Sequence, residues 1–162
     1  MVKTQKKSLK VGKLVNTAHV ESAIRNYKQE RWIHNSQRLG KEDSLSVWYS
    51  LDELKHFFEM AQENGADGVR MYFGAYGEDH PDQPLYAGRQ TIVLVATSNK
   101  KVEGGSFDKE VYVQTEKGST VLAYNAGRIC PPLCSGVGDG GYDYGDLGIA
   151  IVDRGNDGMI VR

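Results

Sequence analysis

The residues best equipped for chemistry fall in four short stretches. The first is Cys130-Pro131-Pro132-Leu133-Cys134. Two thiolates are natural ligands for zinc or iron, and two prolines stiffen the interval between them. A tetrahedral site needs four ligands, however, and the chain has only 2 cysteines. His19, His34, His56 and His80 would have to supply the rest, and no two of them lie at metal-ligand spacing. A second subunit bringing its own pair would complete such a site. The same spacing leaves open buried structural thiols, a disulfide or redox pair, and a nucleophile; the usual redox signature is C-x₂-C ahead of a helix. Pro131-Pro132 also raises the chance of a cis bond, because X–Pro loses little by being cis. Cys130 and Cys134 are the candidate metal residues, with zinc the candidate ion.

The second stretch is Arg70-Met71-Tyr72-Phe73-Gly74-Ala75-Tyr76. On a strand, Arg70 and Tyr72 share one face, with Tyr76 just past the end. A guanidinium fork converging with two phenols would hold a carboxylate or phosphate, and Gly74 would admit a close approach. Arg70, Tyr72 and Tyr76 are the candidate binding residues; the competing reading is a cross-strand ion pair with tyrosines edging the core. The third is His80 within Glu78-Asp79-His80-Pro81-Asp82. Acids around a histidine raise its pKa and orient it as a base, though this composition also describes an ordinary polar loop. A hydrolase pairing Cys130 with His80 would rest on co-occurrence alone. The fourth runs from Gly138 to Gly148 and carries Asp139, Asp143 and Asp146. It offers oxygens to Ca²⁺ or Mg²⁺ but misses the calcium-loop template, and as a single glycine-aspartate unit it has nothing to stack on. No G-x-S-x-G, H-E-x-x-H, phosphate-loop or dinucleotide fingerprint is present.

The elements that must position these residues follow from periodicity. Residues 17–38 read as one helix, capped by Asn16 or Thr17, with Val20, Ala23, Ile24 and Tyr27 at helical spacing. Its distal half is mixed and reads as exposed or in contact with a partner. Leu45 to Tyr49 alternates and reads as a strand. Ser50-Leu51-Asp52-Glu53 is a capping box, and Leu54, Phe57, Phe58 and Ala61 then form one apolar helix face ended by Asn64-Gly65. Val69 to Phe73 alternates again, so residues 45–73 read as a right-handed parallel βαβ unit. Thr91 to Thr97 is a near-continuous apolar run, as expected of a central strand. Val111–Thr115 and Thr120–Tyr124 flank a glycine turn, and a last hairpin joins Ile149–Val152 to Met159–Val161. The sum is a single α+β domain: a mostly antiparallel sheet of four to six strands with helices on one face.

Composition bounds the function. A chain of 162 residues with 40% hydrophobic content supports one domain and a real core. A net charge of -1 excludes a globally basic nucleic-acid binder. No apolar run spans a bilayer and no secretory pattern follows the lysines, so a cytoplasmic protein with reduced cysteines is expected. The averages hide opposite ends: residues 1–16 are basic and read as a flexible start, whereas 135–162 are rich in glycine and aspartate. The folded domain is expected over 17–134.

Several of these stretches occur together in a recognisable order: Trp48-Tyr49-Ser50-Leu51-Asp52-Glu53-Leu54, Gly68 to Tyr76, Thr91 to Thr97, Tyr124-Asn125-Ala126-Gly127, and Cys130 to Cys134. Over residues 45–134 the chain resembles a family of small bacterial proteins of uncharacterised function. The resemblance implies no activity, substrate or cofactor, so no residue role carries over. The resulting expectation is a non-enzymatic ligand- or protein-binding domain that self-associates or meets a protein partner. The alternative is a metal-binding or thiol-redox protein using Cys130 and Cys134.

Overall fold

The computed structural model describes residues 9–81, 84–134, 151–153 and 159–161. It is an α+β fold, as its sequence predicts, and every strand pairing among the described residues is antiparallel.

The first helical stretch begins at α1 (Thr17–Tyr27), where the Asn16 side chain accepts the His19 N–H at 3.0 Å. It continues through a π-helical turn, Lys28–Trp32, into α2 (Ile33–Leu39), and Gly40 ends it with a φ of 69°. The π turn is a departure from the single regular helix expected over 17–38. A π turn inserts an extra residue and so rotates the following side chains to a new face. Lys28, expected on an exposed stretch, is buried, with its ammonium 5.2 Å from the centre of the Trp32 ring. The Trp32 Nε1–H in turn donates to the Asp43 carbonyl at 2.6 Å.

Strand β1 (Ser46–Trp48) leads into α3 (Leu51–Glu63). The capping box closes as predicted: the Ser50 hydroxyl accepts the Glu53 N–H at 3.1 Å, and the Glu53 carboxylate accepts the Ser50 N–H at 2.9 Å. Asp52 and Glu53 place negative charge on the first turn, where the helix dipole favours it. Gly65, at φ 84°, then turns the chain into β2 (Gly68–Ala75).

The expected order of strand, helix and strand is therefore present, but the parallel pairing is not. β1 pairs with β8 (Arg128–Cys130), and β2 pairs with β3 (Gln90–Val102), both antiparallel. Sequence order alone suggests a crossover; the competing partners arrive later in the chain and take both strands.

β3 is the axis of the main sheet. β2 lies along one side of it; β4 (Gly105–Glu110) and β7 (Ala123–Tyr124) share the other. Between them, β5 (Tyr112–Thr115) and β6 (Gly118–Val121) form the predicted hairpin, with Gly118 at φ 114°. Strands β9 (Ile151–Asp153) and β10 (Met159–Val161) pair as expected of the last hairpin. β4 and β8 were not foreseen from the sequence.

Side chains alternate along β3, so Leu94 and Ala96 share a face with Gln90 and Ile92. Phe57 and Ala61 of α3 pack on that face with Leu94, Ala96, Val111 and Leu122. Tyr27 of α1 hydrogen-bonds the Gln90 side chain, which puts both helices on the same side of the sheet. Phe57 also stacks on Tyr124, with ring centres 5.4 Å apart. Phe58 was expected in this face but is 38% exposed, because it flanks the line of Phe57 and Ala61 rather than lying on it. Among the described residues, no helix is long and apolar enough to cross a membrane.

Candidate functional site

Arg70 and Tyr72 meet, as their alternation on β2 requires. Arg70 Nη1 lies 3.4 Å from the Tyr72 hydroxyl, which donates to Glu110 Oε1 at 3.1 Å. The guanidinium also lies 3.6 Å from Glu110 and 3.8 Å from Asp108, reaching over β3 to β4. The Tyr72 hydrogen bond, ahead of the two carboxylates, raises the Arg70 pKa. The Glu110 carboxyl is held below its ordinary range, first by its own backbone N–H and then by the Tyr72 hydroxyl. The cluster is therefore the cross-strand ion pair that stood as the competing reading, with Arg70 already supplied with acids. Exposed pairs of this kind contribute little to stability.

Tyr76 does not join them. Its hydroxyl accepts from Thr91 Oγ1 at 3.1 Å, and its ring stacks on Tyr86 at 5.5 Å. His80 packs against both rings, at 4.4 Å and 5.2 Å. The strand ends at Ala75, but Tyr76 still pairs with Arg89, and the chain turns at Glu78 and Asp79. The three candidate binding residues thus form two separate groups. Asp82 and the Gly138–Gly148 stretch lie outside the described residues.

Cys130 and Cys134 are joined in a disulfide, with an S–S distance of 1.99 Å. The expectation of two reduced thiols is corrected here: the interval is short enough for the chain to fold back on itself. The Cys130–Pro131 and Pro131–Pro132 bonds are both cis. The Leu133 N–H donates to the Ile129 carbonyl at 3.0 Å, and the Leu45 N–H donates to the Cys130 carbonyl at 2.7 Å. Joined sulfurs offer no thiolate to a metal. Among the described residues, no group of three or more His, Cys, Asp or Glu could hold one.

The far edge of β3 shows what sequence reading missed. Before β7 and β4 begin, side chains take the place of a pairing strand. Asp43 Oδ1 accepts the Gln90 N–H at 2.6 Å, and the Ser44 hydroxyl donates to the Gln90 carbonyl. Asn125 Nδ2 and the Tyr49 hydroxyl both donate to the Ile92 carbonyl, at 2.8 Å and 3.3 Å. Buried Asp43 and Ser44 are thus strand substitutes, and Asn125 anchors the corner that continues through Ala126 at φ 70°. Gly127 lies under the Tyr49 ring; a Cβ there would fall 2.6 Å from Tyr49 Cζ and 2.5 Å from Val47 Cγ1. Burial raises the Tyr49 phenol above its ordinary range. The Tyr124-Asn125-Ala126-Gly127 motif was the signal, but its role became legible only with β3 in place.

The opposite edge of the sheet has a different character. β2 ends the sheet among the described residues, and on its helix-side face Phe73 is 82% exposed and Met71 59% exposed. On α3, Leu51 is 83% exposed. Leu51, Leu54 and Phe58 line a shallow groove of about 500 Å³, whose polar margin is Lys55, Glu59 and Gln62.

Compared with known proteins, the chain matches no protein-family model, no curated protein and no solved structure.

Proposed function

We propose that this chain is a non-enzymatic protein-binding domain whose recognition surface is the open side of β2. The observation that carries the reading is the coincidence, on one strand, of a sheet edge unpaired among the described residues with Met71 and Phe73 held out to solvent. Large apolar side chains on a bare edge are a template for another strand, and proteins that do not use such an edge blunt it with proline, lysine or a bulge. β2 has none of these, and its one charged side chain, Arg70, is drawn back over the sheet by Asp108 and Glu110. Strand addition would supply main-chain hydrogen bonds, with side-chain choice set by the alternate positions. The test is titration of the full chain with a peptide alternating valine and threonine, followed by amide resonances. Shifts concentrated at residues 69–73 are expected; shifts elsewhere, or none, would contradict the reading.

A second reading, thiol–disulfide exchange, is favoured by the joined Cys130 and Cys134. Cys134 is exposed and Cys130 half-buried, so an incoming thiolate would attack the Cys134 sulfur, break the S–S bond and release the Cys130 thiolate. A cytoplasmic location belongs with this reading, since disulfides there are as a rule catalytic or redox-sensing. Titration with a glutathione redox buffer tests it: a pair that cycles at cytoplasmic poise supports exchange, and one that stays joined makes it a structural staple.

A further inference from the structure

We infer that the strand received by β2 is β2 of a second copy, paired antiparallel about a two-fold axis at Met71. This deepens the proposed binding reading and rests on it.

The hydrogen bonds fix which backbone groups point outward. On β3, the even residues are engaged on the side away from β2: Gln90 with Asp43 and Ser44, Ile92 with Asn125, and Ala96 with Val111 and Leu122. The odd residues face β2, as the Asp67 N–H donating to the Thr97 carbonyl at 2.9 Å shows. Tyr76 confirms the phase, its N–H donating to the Arg89 carbonyl at 3.0 Å. In the observed register Arg70, Tyr72 and Gly74 sit opposite Val95, Val93 and Thr91. These even residues of β2 spend their backbone groups on β3, because opposed residues in an antiparallel pair exchange bonds alternately. The N–H and C=O groups of Val69, Met71 and Phe73 therefore point to the open edge. They belong to the same residues that line the helix-side face.

The sequence of that strand is self-complementary. Read outward from Met71, Gly68-Val69-Arg70-Met71-Tyr72-Phe73-Gly74 meets its own reverse with compatible chemistry at every position. Met71 falls opposite Met71 of the second copy, and Val69 opposite Phe73, which gives an unbroken apolar row on the helix side. On the other face Arg70 falls opposite Tyr72, so the two guanidiniums are never directly opposed. Gly68 falls opposite Gly74, so nothing obstructs either end. A foreign segment would need only alternate apolar residues; this pattern goes further and suits its own copy.

Charge at the axis provides the test. Met71→Lys and Met71→Glu each place like charges opposite one another if Met71 meets itself, and opposite charges when the two are mixed. Met71 is exposed, so both variants should fold, and circular dichroism checks that they do. By sedimentation equilibrium, the wild type should rise from 18.0 kDa toward twice that mass with increasing concentration. Each variant alone should stay at the monomer mass, and an equimolar mixture should regain the dimer. A wild-type dimer that both variants leave intact would overturn the inference. A wild-type monomer at all concentrations would overturn it too; if the valine-threonine peptide still shifts residues 69–73, the binding reading survives, and if it does not, both fail.

Discussion

Gly127 and Ser50 show how single residues set this structure. An alanine Cβ at residue 127 would fall inside the Tyr49 ring and the Val47 side chain. Gly127→Ala should therefore cost about 1–3 kcal/mol, the usual penalty for overpacking, read from urea unfolding. At the start of α3, Ser50→Ala removes the acceptor for the Glu53 N–H and should cost about 1 kcal/mol. Glu53 carries a pH signature as well. The Ser50 N–H, then the Ser50 hydroxyl, lower its carboxyl pKa from an ordinary value of 4.5. A depressed folded-state pKa contributes stability above the unfolded value and loses it as pH falls through the folded one. The stability difference between wild type and Glu53→Gln should thus be flat above pH 4.5 and shrink below it. A difference independent of pH would refute the cap's charge. The capping box was legible because it needs only two residue types at fixed spacing; Gly127 was not, since the ring above it is that of Tyr49, just past β1.

At the scale of elements, legibility followed the periodicity of apolar residues. α3 and β3 have it and were read correctly. β4 lacks it: Ser106, Asp108, Lys109 and Glu110 are polar on both faces, and the strand is specified by the turn at Gly104, φ 85°, and by pairing with β3. The π turn was hidden because it shifts the helical face without altering the residue types. Arg70 and Tyr72 meet through their alternation on β2, whereas Tyr76, just past the strand end as expected, is engaged by Thr91 and Tyr86. The corner from β7 to β8 is held by Asn125, the disulfide ties the end of β8 to the loop that follows it, and β1 is held by its pairing with β8, where Trp48 stacks on Arg128 at 4.4 Å. Replacing Cys130 and Cys134 with serine should cost about 2 kcal/mol, modest because the closed loop is short. The loss should appear as faster amide exchange at Val47 and Ile129. Unchanged exchange there would mean that strand pairing alone holds β8 against β1.

The whole molecule has two contrasting sheet edges. The outer side of β3 is closed by four side chains from distant parts of the sequence and then by β7 and β4, at the cost of burying Asp43 and Ser44. The outer side of β2 has no such provision among the described residues, and it keeps Met71 and Phe73 in water. Among the described residues one edge is closed by buried polar groups and the other is not, and it is at the second that binding is proposed. Phe73→Glu should leave the fold's stability within about 0.5 kcal/mol, as expected of an exposed position, while abolishing association. The most direct measurement is amide hydrogen exchange at Val69, Met71 and Phe73 across a concentration series. Fast exchange is expected in dilute protein and protection at high concentration, confined to these alternate residues. Fast exchange at every concentration, with the valine-threonine peptide also present, would contradict strand addition at β2.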